Sequence, residues 1–167
     1  MGLGAHRDET FRHLSLPTLA APSSSGPQPR ATHGDRLTTV EPMPAIHVPG
    51  QPAPTAPLSP GYAAGGWVYV SGQVANQPDG GILVGDFAAE VNGTLDNVEK
   101  VLAAGGATWN DVVRVGVYLS NSLLFSEFNE LYAQRLGDHR PARSAIIVDF
   151  GHPNVRVEVD AVAYVGP

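Results

Sequence analysis

Phe87, Val91, Leu95, Val98 and Leu102 recur at spacings of four, four, three and four, so on a helix all five fall on one stripe. Asp86 stands where it can cap the first turn, and Gly105-Gly106 where the helix must stop. The other side carries Glu90, Asn92, Asp96, Asn97, Glu99 and Lys100. A helix this one-sided has to lay its stripe on a flat apolar surface. The following segment offers one: from Asp111 to Ser120, Val113, Val115, Val117 and Leu119 alternate with Arg114, Gly116 and Tyr118, the pattern of a half-buried strand.

The rest of the domain reads the same way. Trp67 to Val70 is a β-branched and aromatic strand ending at Ser71-Gly72, and Ile82 to Val84 is a short strand behind the Asp79-Gly80-Gly81 turn. A second amphipathic helix carries Phe125, Phe128, Leu131, Tyr132 and Leu136, with Gly137 beyond its last turn. Arg143 to Phe150 and Val155 to Val165 alternate as two further strands around Gly151-His152-Pro153-Asn154. Between Ala45 and Pro60, prolines at 49, 52, 54, 57 and 60 leave room for one short strand and then an extended arm. These elements predict an α+β domain: one mixed β-sheet with two helices packed on one face. The other face keeps Val, Tyr and Ala side chains, which a second copy of the chain would cover.

Residues 1–42 hold five prolines, a serine run and a single aromatic, Phe11, too little apolar surface to offset the entropy of ordering. They predict a disordered N-terminal extension, with the folded domain over 43–167. Arg7, Arg12 and the Leu14 to Ala21 stretch lend some support to a targeting peptide instead, but Asp8, Glu9 and the prolines oppose it.

Charge and composition remove several functions. Sixteen acidic against ten basic side chains give a net charge of -6, which argues against a phosphate-binding face and hence against nucleic-acid partners. No apolar run approaches the ~20 residues of a membrane-spanning helix. Cysteine is absent, so there is no disulfide, thiolate metal site or thiol nucleophile, which fits a reducing, cytoplasmic setting. Gly-rich phosphate loops, Gly-x-Ser-x-Gly elbows and His-Glu-x-x-His pairs are missing too. His47, His139 and His152 stand singly in loops, so no metal site is expected.

Two charges lie in apolar company: Arg143 opens one terminal strand and Glu158 sits inside the other. If the four-residue turn pairs Phe150 with Val155, Ile147 faces Glu158 and Arg143 faces Val162. Both charges then share one sheet face, ~13 Å apart. One reading is a solvated sheet edge, with Arg156 and Asp160 on Glu158's face as support. The other is a cleft with an arginine fork at one end and a carboxylate at the other.

Val70-Ser71-Gly72-Gln73, Leu95-Asp96-Asn97-Val98, Asp111-Val112-Val113-Arg114, Phe128-Asn129-x-x-Tyr132, Arg140-Pro141-Ala142-Arg143-Ser144 and Val157-Glu158-Val159-Asp160-Ala161 together resemble the Rid family of reactive intermediate/imine deaminases, also called YjgF-like. The resemblance covers Met43 to the C-terminus. It implies a chorismate-mutase-like fold, a homotrimer with clefts between subunits, and no metal or organic cofactor. The implied activity is hydrolysis of enamines and imines such as 2-aminoacrylate to 2-oxo acids and ammonia. By the same resemblance Arg143 holds the substrate carboxylate and Glu158 handles water or protons. Ser71 and Gly72 form the small segment of the cleft, Asn129 is a cleft asparagine, and Ala145 stands where a cysteine is frequent. The alternative is a noncatalytic module that binds small carboxylates; a ribonuclease, an activity attributed to some relatives, is disfavoured by the charge.

The chain departs from the family at Ala56-Pro57-Leu58-Ser59-Pro60, where many deaminases have Gly-Pro-Tyr-Ser-Gln. Leu58 replaces a hydroxyl donor and changes the pocket's shape; Tyr62 is a nearby substitute.

Overall fold

The computed structural model describes residues 44–77 and 79–166. The N-terminal extension expected over 1–42, its targeting alternative and the boundary at Met43 lie outside them. The described chain forms β1 (Ala45–Ile46), β2 (Gly61–Ala64), β3 (Trp67–Gln73), α1 (Phe87–Ala104), β4 (Val112–Leu119), α2 (Phe125–Leu136), β5 (Ala142–Ile147) and β6 (Val157–Tyr164). Six strands make one sheet in the order β1-β2-β3-β6-β4-β5. Every pairing is antiparallel except β4 with β5, because α2 carries the chain back across the sheet before β5 begins.

Both helices lie on one face. Phe87, Val91, Leu95, Val98 and Leu102 are all buried on α1, and the Asp86 carboxylate accepts from the Ala88 N–H. Phe128, Tyr132 and Leu136 are the buried residues of α2. Beneath them lie Val68 and Val70 of β3, Val115, Val117 and Leu119 of β4, and Val157, Val159, Ala161 and Ala163 of β6. The opposite face carries Tyr62, Trp67, Tyr69 and Tyr164 exposed, with the rings of Trp67 and Tyr164 4.7 Å apart. The mixed sheet with two helices on one face is thus the expected fold.

The details depart from the sequence reading in five places. Residues 61–64 form a strand, held by β1 and β3, where pairing rather than propensity makes the element. Ile82 forms one isolated bridge to Asn76 instead of a strand. In β4, Val113 is a bulge that throws its side chain out to 45% exposure, and Val112 takes its place in the core. Arg156 precedes β6 and pairs with Glu90 instead of lying on Glu158's face.

The last departure bears on function: β5 and β6 are not a hairpin. β5 pairs with β4, and the connection passes over the end of β4, where the Val148 N–H donates to Leu119 O and the Ser120 N–H donates to Arg156 O. In this register Val115 lies between Arg143 and Ala161 on the helix side, whereas Glu158 lies beside Tyr118 on the open side. The expectation that Arg143 and Glu158 share one face is therefore overturned.

Candidate functional site

Arg143, the second residue of the edge strand β5, turns under α2. Its Nη2 donates to Asn129 Oδ1 at 2.6 Å, and its guanidinium carbon lies 4.9 Å from the centre of the Tyr132 ring and 5.7 Å from that of Phe128. Phe128, Asn129 and Tyr132 reach it together because they occupy adjacent positions and the next turn of one helix face. Ala145, two residues further along β5, lies on the same side and packs on the core.

The charge on Arg143 stands out by comparison with its neighbours. Arg114 lies 3.9 Å from Asp160, Arg135 bridges Asp96 and Glu99, and Arg156 grips Glu90. Arg140 donates to the carbonyls of Gly137 and His139. Among the described residues, Arg140 and Arg143 have only neutral oxygens as acceptors, and of the two Arg140 is exposed whereas Arg143 is half-buried. A half-buried guanidinium without a counter-ion can receive an anion, and its planar fork suits a carboxylate.

On the open face, β3 carries a bulge between Val70 and Gln73, and Ser71 and Gly72 occupy it. Glu158 packs over Gly72: a β-carbon built there would lie 2.7 Å from the Glu158 carboxyl carbon, so the missing side chain is what seats the carboxylate. Burial raises the Glu158 pKa above the ordinary carboxylate value, and the nearby Asp160 charge raises it further. Asp160 fills the space over Gly116 and accepts from the Tyr118 hydroxyl at 2.7 Å. Ser71 ties the proline arm to this site, its Oγ donating to Ser59 O at 2.7 Å and its N–H to Pro60 O at 2.9 Å. Leu58, at the end of that arm, is 57% exposed.

The structure thus gathers the candidate residues into two groups. Arg143, Asn129 and Ala145 lie on the helix side at the β5 edge; Ser71, Gly72 and Glu158 lie together on the open side. The ring stack under Arg143 was not singled out by sequence reasoning, because Phe128 and Tyr132 also satisfy the apolar stripe of α2. Their position on either side of Asn129 was the available signal. Among the described residues no group of three or more His, Asp or Glu side chains could hold a metal ion, and no helix is long and apolar enough to cross a membrane.

A six-stranded mixed sheet screened by two helices on one face is the fold of a YjgF-like domain. The chain belongs to the family described as Endoribonuclease L-PSP, the YjgF/RutC/Rid superfamily, whose family model matches residues 49–165. It is 35% identical over 120 residues to a RutC family protein of Pyrococcus horikoshii, covering 71% of this chain and 95% of that one. The crystal structure of yeast Mmf1 matches with a TM-score of 0.64 at 32% identity, over 68% of this chain and 91% of that one. The crystal structure of E. coli TdcF with bound serine matches with a TM-score of 0.66 at 27% identity, over 72% and 98%.

Proposed function

We propose that the chain is a hydrolytic deaminase of reactive enamines and imines of the 2-aminoacrylate type, working as a homotrimer whose clefts each join two copies. The uncompensated charge of Arg143 carries this reading: a guanidinium packed over aromatic rings and left without a carboxylate partner binds a small carboxylate. Family membership and the serine bound in the related TdcF agree with a small carboxylate ligand.

The chemistry asks little of the protein. 2-Aminoacrylate takes a proton on its methylene carbon and gives one up from nitrogen to become the imine, water adds to the imine carbon, and the C–N bond of the carbinolamine breaks. One water is consumed, and a 2-oxo acid and ammonia leave. Arg143 holds the carboxylate while Glu158 accepts a proton from the attacking water and returns it to the departing nitrogen. Partial burial suits Glu158 to this exchange by moving its pKa toward neutrality. Since enamines hydrolyse unaided, positioning suffices for acceleration.

Arg143 and Glu158 occupy opposite faces of one sheet, so a site that uses both takes them from different copies. The exposed Tyr62, Trp67, Tyr69 and Tyr164 supply a face for such an assembly.

The test is to generate 2-aminoacrylate with a dehydratase and follow its loss. Wild type accelerates it. Arg143→Lys keeps the charge but loses the fork, and rate over background falls by at least about tenfold. Glu158→Gln retains pyruvate binding and loses turnover by about a hundredfold. If both variants match wild type, these residues are not the site. Leu58 favours a second reading, a noncatalytic carboxylate-binding module, because it leaves position 58 without the phenolic hydroxyl that many deaminases of the family carry there. Pyruvate binding through Arg143 with no acceleration of imine loss would establish that reading, and Leu58→Tyr is then the rescue to attempt.

A further inference from the structure

Arg143 is a long side chain on an edge strand, yet three groups on α2 determine where its guanidinium lies. Asn129 Oδ1 takes one N–H at 2.6 Å and fixes rotation in the plane. The Tyr132 ring lies against the guanidinium, 4.9 Å from ring centre to guanidinium carbon, and fixes the plane itself. The ring cannot swing away, because Tyr132 is 7% exposed and stacks on the fully buried Phe128 at 5.5 Å.

The hydroxyl of Tyr132 has a different standing from its ring. It is sealed from solvent and has no hydrogen-bond partner among the described residues. A ligand at Arg143 therefore has no route to it in this chain, and the position contributes an aromatic surface. Asn129, for its part, spends its carbonyl oxygen on Arg143.

We infer that Tyr132, backed by Phe128, is a positioning residue: its ring fixes the Arg143 guanidinium plane and thereby sets affinity for the ligand carboxylate, while Asn129 acts on Arg143. This rests on Arg143 being the carboxylate receptor. The Glu158 that acts beside this arginine in the proposed cleft comes from another copy and takes no part in the clamp, so loosening the clamp alters binding far more than turnover.

The experiment titrates pyruvate into the full-length protein by NMR and measures KM and kcat for 2-aminoacrylate loss, with thermal melts confirming folding. Tyr132→Leu is expected to weaken pyruvate binding by about tenfold, the size of one desolvated cation–π contact, and to raise KM in proportion with kcat within about twofold. Tyr132→Met, which fills the volume without a ring, gives the same result and serves if the leucine variant does not fold. Tyr132→Phe keeps the ring and restores the affinity. Unchanged affinity in the ringless variants overturns the inference. Loss in Tyr132→Phe as large as in Tyr132→Leu also overturns it, since the hydroxyl would then be the active part. Arg143→Lys is the control for the underlying reading: if it binds pyruvate like wild type, the receptor assignment fails, whereas weak binding there beside intact binding in Tyr132→Leu rejects the platform alone.

Discussion

Glu158 shows how a single residue's surroundings set its chemistry. Its pKa is raised by burial first and by Asp160 second, so the charged form is disfavoured in the folded chain. A carboxyl whose folded pKa lies above its unfolded value contributes full stability only below the unfolded value, and loses it as pH rises through the folded one. Glu158→Gln removes that penalty. Its thermal midpoint is expected to exceed wild type at about pH 7.5, by no more than about 2 °C given the group's exposure, and to match it at about pH 3.5. A midpoint difference independent of pH would show that packing, not charge, separates the two. Gly72 belongs to the same arrangement, because a β-carbon there meets the Glu158 carboxyl group. Gly72→Ala is expected to displace that carboxylate and lower turnover by about tenfold while leaving pyruvate affinity intact, a split that titration beside kinetics detects.

At the scale of elements, the junction before β6 depends on one ion pair. Arg156 grips the buried Glu90 through Nε at 2.9 Å and Nη2 at 2.6 Å, donates to Gly85 O, and lies over the Phe87 ring, joining the start of α1 to the start of β6. Glu90→Ala leaves a partly buried cation without its partner, and is expected to cost about 2 kcal/mol, read as a lowered urea midpoint. Elements made by local signals were legible in the sequence: α1 by its stripe and cap, β4 by alternation, α2 by Phe128, Tyr132 and Leu136. Those made by their partners were not. Gly61-Tyr62-Ala63-Ala64 has no β-branched residue and becomes a strand only between β1 and β3, while the bulge at Val113 serves the pairing with β6. The Arg143–Glu158 relation failed for the same reason. A turn-like Gly151 to Asn154 suggested a hairpin, but α2's crossover had already committed β5 to β4. The candidate site residues could be picked out through motif resemblance; their division between two faces required the topology.

At the scale of the whole molecule, that division makes assembly part of the proposed mechanism. The extension over 1–42 is composed like a chain that cannot build a core, so its removal is expected to leave the number of chains per oligomer unchanged and the thermal midpoint within about 5 °C. Light scattering of wild type is expected to return three times the chain mass at micromolar concentration. A monomer mass would remove the composite site with the trimer. Mixing inactive variants gives a stronger test. Arg143→Lys chains still carry Glu158, and Glu158→Gln chains still carry Arg143. Unfolded together in equal amounts and refolded, they assemble at random, and each cleft draws its arginine from one chain and its carboxylate from the neighbour. One half of the chains offer an intact arginine and one half of the neighbours an intact carboxylate, so about a quarter of clefts regain both, and activity is expected to return to about a quarter of wild type. A site contained within one chain gives no recovery at any mixing ratio, because every chain then carries one damaged residue.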